Sequence, residues 1–466
     1  MTDILLTHGY FLMEDPAERA VMKPYPPLGL LYLSSHLKAS GFGVAVMDTT
    51  FMDMDAARAA LAAKRPGVVG IYANLMTRGN ALRLAAAAKA VGATVIFGGP
   101  EPANYAGEYL ARGGDIVVSG EGELTLAELI PHLARHGLRE LDQIHGIAYR
   151  DADGGVRHTP ARRQIADLDA QPFPDRGAID LERYLQTWKT HHGVRSVSLI
   201  VARGCPYTCN WCSHSVFGHS HRRRSARNVA DEIEFIRDAY APDQLWFADD
   251  VFTINQKWLE QFAAEMKRRG LRYPFETITR EDRLNERVAD LLADLACYRI
   301  WIGAESGSQR ILDAMQRRTN AVRMRDMIAL VQDRGIRAGT FIMLGYDGET
   351  WEDIDATARH LRLSAPDDVL TTISYPIKGT PYYDKVADRI AGGGAWHEGS
   401  DRALTVVGRK SRRFYRHAQR WLAAESRLGR LEATPDRDLL RHAKARASSA
   451  LSRLAMYATR HEVDYG

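Results

Sequence analysis

The sequence predicts an α/β protein with two regions of alternating strands and helices, followed by a helical segment. Three observations predict it. Short apolar runs alternate with amphipathic stretches over residues 1–137, the alternation resumes from Ser196, and it ends near residue 391. Runs rich in Val and Ile without polar alternation suit strands that are buried on both faces of a parallel sheet.

The first region contains five predicted strands with helices between and after them. The strands are Ile4–Thr7, Val44–Met47, Val68–Tyr72, Thr94–Phe97 and Asp115–Val118. The helices are Leu28–Lys38, Asp55–Lys64, Ala81–Val91, Ala103–Ala111 and Leu124–Arg135. This order favours a doubly wound, Rossmann-like sheet, which binds ligands at the carboxyl ends of its strands. No G-x-G-x-x-G follows the first strand, so a dinucleotide is not indicated.

Three of these strand ends carry candidate binding residues. Asn74, Leu75 and Met76 follow the third strand, Gly98 and Gly99 follow the fourth, and Gly120 and Glu121 follow the fifth. Glycine allows the backbone to approach a large ligand closely. The alternative is that these glycines only end their strands.

Residues 146–160 predict a hairpin around Asp153-Gly154-Gly155. Residues 161–190 contain Pro172 and Pro174 and few periodic apolar positions, which predicts a linker.

The second region contains six predicted strands, each followed by a helix except the last. The strands are Val197–Ala202, Gln244–Phe247, Phe275–Thr279, Arg299–Gly303, Ala338–Leu344 and Leu370–Tyr375. The helices are Val229–Ala239, Gln256–Arg269, Asn285–Ala296, Gln309–Met315, Arg323–Arg334 and Trp351–Leu363. A closed barrel has eight such units, so six predict a partial (β/α)6 barrel. The predicted domains are 1–145, a hairpin and linker over 146–192, 193–390, and a helical segment over 391–466.

Charge is polarised toward the C-terminus. The whole chain carries +4, which is too small to favour nucleic acid as a partner, but residues 401–466 hold 15 Lys and Arg against 7 Asp and Glu. The helices predicted there would cap the open barrel or contact a membrane or a partner protein. The chain has no apolar run near the ~20 residues of a membrane span and no secretory leader, so we expect a cytoplasmic protein. Arg222, Arg223, Arg224 and Arg227 are predicted to be solvated surface, and the alternative is that they bind an anionic substrate or a reductase.

Three of the four cysteines fall within eight residues. Cys205, Cys209 and Cys212 have C-x3-C-x2-C spacing directly after a predicted strand, where barrel enzymes build their sites. Three thiolates can hold three irons of a [4Fe–4S] cluster and leave the fourth iron for a substrate or cofactor. The alternative, a zinc site, normally needs four protein ligands. Cys297 is expected at the opposite end of the barrel as a small buried hydrophobe.

This loop, with Trp211 before its last cysteine, resembles the radical S-adenosylmethionine (SAM) superfamily, and the resemblance extends over residues 197–382. It implies a [4Fe–4S] cluster on the three cysteines and SAM beside them. The resemblance assigns SAM-binding roles to residues near the cluster and at successive strand ends, which are Trp211, Asp249, Asp250, Arg280, Glu305 and Ser306.

Residues 1–145 are similar to the cobalamin-binding domain that is fused to many of these enzymes. The matching segments are 26–33, Gly98-Gly99-Pro100 and 120–123. The D-x-H-x-x-G motif is absent, because Asp48 is followed by Thr49 and Thr50. The resemblance therefore implies cobalamin without a histidine ligand from that motif. The predicted cobalamin contacts are Gly98, Gly99, Gly120, Glu121 and, toward the lower face of cobalt, Asn74, Leu75 and Met76.

The resemblance implies a cobalamin-dependent radical SAM methyltransferase that methylates an unactivated carbon of a small molecule. Its expected partner is a reducing protein such as flavodoxin or ferredoxin, with no nucleic acid. A cyclase or rearrangement catalyst remains an alternative, and so does a redox regulator that binds the cluster and SAM. A methylthiotransferase is disfavoured because the N-terminal region has no cysteine for a second cluster.

Overall fold

The computed structural model describes residues 2–433 and 438–464, and the chain divides into two compact units. The first unit comprises residues 1–206, 213–244 and 394–400. The second comprises residues 207–212, 245–393 and 401–466.

A seven-stranded sheet forms the centre of the first unit. Its strands are β1 (Ile4–His8), β2 (Val44–Met47), β3 (Val68–Tyr72), β4 (Thr94–Gly98), β5 (Ile116–Val118), β6 (Ile147–Arg150) and β7 (Val156–His158). The order is β2-β1-β3-β4-β5-β6-β7, parallel through β5 and antiparallel beyond it. The order in which strands are added reverses at β1 and β3: β2 lies on one side of β1, and β3 and the later strands lie on the other. A doubly wound sheet opens its ligand crevice at this point. The predicted doubly wound sheet and the hairpin are therefore confirmed.

Helices cover both faces of this sheet. They are α1 (Pro16–Val21), α2 (Leu28–Ala39), α3 (Met54–Lys64), α4 (Arg78–Ala90), α5 (Ala106–Ala111) and α6 (Glu123–His136). Alternate residues of one strand enter opposite cores: Val95 and Phe97 pack on one side of β4, and Ile96 packs on the other. Burial on both faces explains why these strands contain few polar residues.

The predicted linker over 161–190 is wrong in its second half, because helix α7 (Leu181–His192) forms there. The Asp180 side chain accepts a hydrogen bond from Arg183 N and begins the helix. Leu181, Tyr184, Leu185 and Trp188 are all buried along one face. Their i, i+3, i+4, i+7 spacing is the helical signal that the prolines upstream obscured.

The first unit also contains the segments that precede and follow the three clustered cysteines. These are β8 (Ser196–Leu199), β9 (Ala202–Arg203), β10 (Arg222–Arg223) and α8 (Ala226–Tyr240). Strands β9 and β10 pair antiparallel, with Arg203 opposite Arg222.

Five further strands form a continuous parallel arrangement in chain order. They are β11 (Gln244–Phe247), β12 (Phe275–Thr279), β13 (Cys297–Glu305), β14 (Arg337–Leu344) and β15 (Asp368–Ile373). The helices between them are α9 (Gln256–Arg268), α10 (Glu286–Asp294), α11 (Gln309–Ala314), α12 (Ala321–Gln332) and α13 (Trp351–Ser364). With β8, all six predicted strands of the second region form.

The prediction that the C-terminal segment is helical from residue 391 is wrong, because its first helix begins at Arg412. Helix α14 (Pro381–Val386) precedes this segment. The antiparallel pair β16 (Ile390–Gly392) and β17 (Leu404–Val406) follows, and then α15 (Arg412–Ala433) and α16 (Leu439–Ala458). Three consecutive glycines, 392–394, interrupt the pattern. Helix α15 packs against α13 and β15, and α16 packs against α15. Among the described residues, no helix is long and apolar enough to cross a membrane.

Candidate functional site

The cysteine loop, residues 204–212, begins at a glycine that no other residue can replace without strain. Gly204 has a φ of 84°, and a Cβ on it would lie 2.3 Å from the carbonyl oxygen of Ser220. The close approach follows from the β9–β10 pairing, which brings the chain before Cys205 against the chain that returns at Ser220. Glycine at this position therefore fixes the direction in which the chain enters the loop.

A buried ion network ties this pairing to the loop after β5. The Arg203 guanidinium lies 2.7 Å from Glu121 and 2.7 Å from Glu123, and Arg222 lies 2.8 Å from Glu121. Burial alone would lower the pKa of Arg203, but the carboxylates of Glu123 and Glu121 raise it above its ordinary value. Glu121 was predicted to contact a cofactor, but each of its two carboxylate oxygens forms an ion pair with an arginine, one with Arg203 and the other with Arg222.

The prediction that the arginine run 222–224 is solvated surface is wrong. Arg224 is buried and donates to Glu232, which is fully buried and also lies 2.6 Å from Arg176. Arginine is the residue best suited to buried carboxylate pairs, because its planar guanidinium satisfies two oxygens. The partner carboxylates come from distant segments, so the local charge run gave no sign of burial.

Cys209 is buried between two guanidinium groups. Arg280 Nη1 lies 3.8 Å and Arg317 Nη1 lies 3.7 Å from its Sγ atom. Arg280, directly after β12, stacks on the ring of Tyr207 at 3.7 Å, and Arg317 donates to the carbonyl of Gly303 at 2.8 Å. The buried sulfur of the loop therefore faces two cationic side chains.

The rest of the loop is anchored by side chains of the second unit. Asn210 donates to the carbonyl of Ala314 and accepts from the hydroxyl of Tyr346, each at 2.9 Å. Trp211 packs against a buried cluster that includes Met315 and Tyr346. Neither Asn210 nor Arg317 was singled out in the sequence, because both act through contacts more than 100 residues away.

The predicted strand-end residues differ in what surrounds them. Glu305, at the end of β13, has a positive φ of 63° and lies 3.9 Å from Arg317. Burial raises the pKa of Glu305. Ser306 is buried beside Thr357, while after β11 Asp249 is buried and Asp250 is exposed. Of these predicted residues, Arg280 therefore contacts Cys209 directly, and Glu305 reaches it only through Arg317.

Cys297 lies far from this group. It is buried as the first residue of β13, and eight residues of about 3.3 Å each separate it from Glu305 at the other end. Burial raises the pKa of the Cys297 thiol, which keeps it protonated. Its expected position at the opposite end of the strand is confirmed.

The residues present suit an iron–sulfur cluster in the chemistry of their donors. Cys205, Cys209 and Cys212 lie within eight residues, and cationic groups flank one of them. Over residues 2–433 and 438–464, no three His, Cys, Asp or Glu side chains converge as a preformed metal site. The assignment of the three cysteines to a cluster therefore stays a prediction from the motif.

The second set of candidates lies at the strand ends of the first unit. The Asn74 side chain accepts from the backbone N–H groups of Met76 and Thr77, which forms a tight turn after β3. Gly99 has a φ of 108°, and a Cβ there would lie 2.5 Å from the carbonyl oxygen of Ala73. The turn that carries Asn74, Leu75 and Met76 is therefore held directly against Gly98 and Gly99. Gly120 also has a positive φ.

His8, at the end of β1, is not available as a ligand in this arrangement. Its Nε2 donates to Asp48 at 2.9 Å, and its Nδ1 accepts from the backbone N–H of Tyr10 at 3.2 Å. Asp48 accepts in turn from the hydroxyl of Tyr184 at 2.8 Å. Burial would raise the pKa of Asp48, but the hydrogen bonds from His8 and from the backbone N–H of Thr50 lower it, so the carboxylate is held ionised.

Two family models match the chain. Residues 19–130 match the B12 binding domain, and residues 199–361 match the Radical SAM superfamily. The two matches fall on the two strand–helix regions, and each contains one of the candidate sites.

Curated relatives and solved structures extend the likeness to most of the chain. An uncharacterized methyltransferase of Pyrococcus horikoshii is 31% identical over 380 residues, 80% of each chain. An anaerobic magnesium-protoporphyrin IX monomethyl ester cyclase of Rubrivivax gelatinosus is 27% identical over 376 residues, 78% of this chain and 67% of the relative. The structure of the radical S-adenosylmethionine methyltransferase TsrM from Kitasatospora setae, with cobalamin and a [4Fe–4S] cluster bound, superposes with a TM-score of 0.69 at 18% identity, covering 85% of this chain and 78% of that one.

Proposed function

The chain belongs to the family of cobalamin-dependent radical SAM methyltransferases, and from this premise we propose that it methylates an unactivated carbon of a small molecule, with its cluster on Cys205, Cys209 and Cys212. Its cofactors are a [4Fe–4S] cluster, SAM and cobalamin. The observation that carries the proposal is the presence, in one chain, of a B12-binding domain and a cysteine loop whose buried sulfur faces two guanidinium groups.

The residues around the cysteine loop have distinct proposed roles. When bound, the cluster and SAM supply a radical that removes a hydrogen atom from the substrate, and cobalamin supplies the methyl group. Arg280 and Arg317 balance the negative charge of the sulfur ligands, and Tyr207 holds Arg280 in place. Trp211, Asp249, Asp250, Arg280, Glu305 and Ser306 are proposed to bind SAM. Asn210 positions the loop.

The cobalamin-facing residues are proposed at the strand ends of the first unit. The backbone of Gly99 lies close to that of Ala73, and Gly99 has no side chain that would project from the surface there. A large planar ligand could therefore approach this backbone closely. Asn74, Leu75 and Met76 are proposed to lie below cobalt, with Gly98, Gly99, Gly120 and Glu121 around the ligand.

No protein histidine is expected on cobalt. With the protein loaded with cobalamin and reduced to Co(II), electron paramagnetic resonance should show no nitrogen splitting from a protein imidazole, since His8 uses both ring nitrogens within the protein. His8→Gln, which can still bond to Asp48, should leave the spectrum unchanged. The control ligand is cobinamide, which lacks cobalamin's own base. Nitrogen splitting that persists with cobinamide and vanishes in His8→Gln would show that His8 binds cobalt, contrary to the prediction.

Methyl transfer predicts a characteristic product ratio. With its true substrate, the enzyme should form S-adenosylhomocysteine, from recharging cobalamin, and 5′-deoxyadenosine, from hydrogen abstraction, in nearly equal amounts. Anaerobic turnover with a strong reductant, followed by chromatography of both products, measures it. If 5′-deoxyadenosine rises with substrate while S-adenosylhomocysteine stays at background, the cyclase alternative holds, which the Rubrivivax relative favours. A redox regulator would bind SAM and release neither product.

The cellular setting is also a proposal. Three cysteines clustered in one loop, one of them exposed, suit a reducing compartment, so we infer a cytosolic enzyme with a flavodoxin or ferredoxin as electron donor. The proposed domains are 1–145 for cobalamin, 146–192 as the connection, 193–390 for the cluster and SAM, and 391–466 as the C-terminal segment.

A further inference from the structure

Helix α16 has an unusual distribution of side chains around its axis. Ala445, Ser449 and Met456 are buried toward α15, so the inward face is small and partly polar. The solvent-facing side is apolar instead. An ordinary surface helix has the reverse pattern, with charged residues opposite the buried face.

The exposed side forms what we call the α16 stripe. At about 100° per residue, its members occupy one uninterrupted arc roughly 120° wide. The large ones are between 53% and 82% exposed. The stripe consists of Leu439, Leu440, Ala443, Ala447, Ala450, Leu451, Leu454, Tyr457 and Ala458.

Positive charge borders the stripe on both edges. Lys444 and Arg441 follow one edge, and Arg446 and Arg453 follow the other, with Arg460 just beyond the helix. No Asp or Glu occurs from residue 439 to residue 461. The stripe is therefore an apolar surface bordered by basic side chains of its own helix, of which Arg441 pairs with Asp438 and Arg453 pairs with Asp355, each at 3.1 Å.

A cavity of about 980 Å³ adjoins the C-terminal end of the stripe. Its lining combines aromatic and aliphatic groups with cations, including Trp351, Phe414, Leu454, Tyr457, Lys410 and Arg453, and Glu349 and Glu352 also line it. Arg460 stacks on the ring of Tyr457 at 3.7 Å. Aromatic rings beside cations are typical of protein surfaces at the boundary between lipid headgroups and acyl chains.

We propose that helix α16 lies flat on an anionic lipid membrane, with the α16 stripe in the acyl-chain boundary and its basic borders on the lipid phosphates. An exposed apolar arc with Lys and Arg on both sides is the pattern of helices that lie in the membrane interface. A second copy of this chain fits less well, because a two-fold contact through the stripe would set each basic border against a basic border. This inference is independent of the proposed methyl transfer.

Vesicle flotation with the full-length protein tests the proposal. The probes are vesicles of phosphatidylcholine alone and of phosphatidylcholine with phosphatidylglycerol at roughly 3:1. We expect at least about tenfold more bound protein on the anionic vesicles, and a decrease at high salt, because salt screens the attraction to lipid phosphates. Leu451→Glu/Leu454→Glu should abolish binding, and Lys444→Gln/Arg446→Gln should weaken it roughly tenfold or more.

The matched control is Leu363→Glu/Leu370→Glu, which places the same charges on two exposed leucines outside α16 and should bind as the parent protein does. Equal melting temperatures of all variants exclude misfolding. The proposal is overturned if anionic vesicles fail to float the protein, or if Leu451→Glu/Leu454→Glu leaves flotation unchanged. Two other results would also overturn it. One is that Leu451→Glu/Leu454→Glu converts a dimer into a monomer, because the stripe would then bind a second copy of the chain. The other is that the parent protein and this variant bind duplex DNA equally well, because the basic side chains would then act without the two leucines.

Discussion

Replacing Cys205, Cys209 or Cys212 by alanine is expected to abolish the visible iron–sulfur absorption of the anaerobically reconstituted protein, while Cys297→Ala retains it. Each of the three loop thiolates would hold one iron, and a cluster with two remaining protein ligands is not stably retained. Cys297 is buried at the start of β13, at the opposite end of the strand from Glu305, and burial raises the pKa of its thiol. Iron and sulfide content should fall with the absorption.

Cys297→Ala is the matched control for this series, because it removes the same atom from the same protein. Circular dichroism should show that all four variants keep their helices and strands. The assignment fails if folded Cys297→Ala lacks the cluster, or if one of the three loop variants retains full iron and sulfide content.

Arg203→Met is expected to destabilise the first unit by about 3–5 kcal/mol, the cost of removing one partner from a buried ion pair. Glu123 and Glu121 would lose the guanidinium that lies 2.7 Å from each, and they are buried too deeply for water to replace it. Chemical unfolding followed by circular dichroism measures the loss. Because Gly204 and Cys205 follow directly, cluster retention should fall as well.

Arg157→Met provides the matched control, since Arg157 forms an ion pair with Asp151 on the surface of the same unit. Exposed pairs contribute at most about 1 kcal/mol. Adding Glu123→Gln to Arg203→Met should restore part of the stability by removing an uncompensated charge. Equal destabilisation by Arg203→Met and Arg157→Met would show that the ion network is not a buried structural element.

The sequence allowed most of the fold to be predicted, because strands buried on both faces leave a strong apolar signal. All eleven strands predicted for the two regions form close to their expected positions, from Ile4–His8 to Asp368–Ile373. Helix α7 was missed because Pro172 and Pro174 dominated a stretch whose helical spacing begins only at Leu181. The local residue pattern was therefore sufficient to predict an element wherever no conflicting signal, such as a proline, lay beside it.

The site was predictable only where a motif is local. The C-x3-C-x2-C spacing lies within eight residues, so it identified the cysteine loop directly. Arg317 and Asn210 reach the loop or its neighbours across more than 100 residues, and no short pattern records such contacts. The partial burial of Arg222 and the burial of Arg224 likewise depend on Glu121 and Glu232, which only the folded chain brings near.

The ion network also bears on how such a chain can be recombined. Glu121 and Glu123 lie inside the stretch that matches the B12 binding domain, whereas Arg203 and Arg222 lie inside the stretch that matches the radical SAM model. A chimera that exchanges the N-terminal domain with that of a relative must therefore transfer the matching arginines too, or it will bury charges without partners. Although separate family models match the two stretches, the buried ion network joins them in this chain.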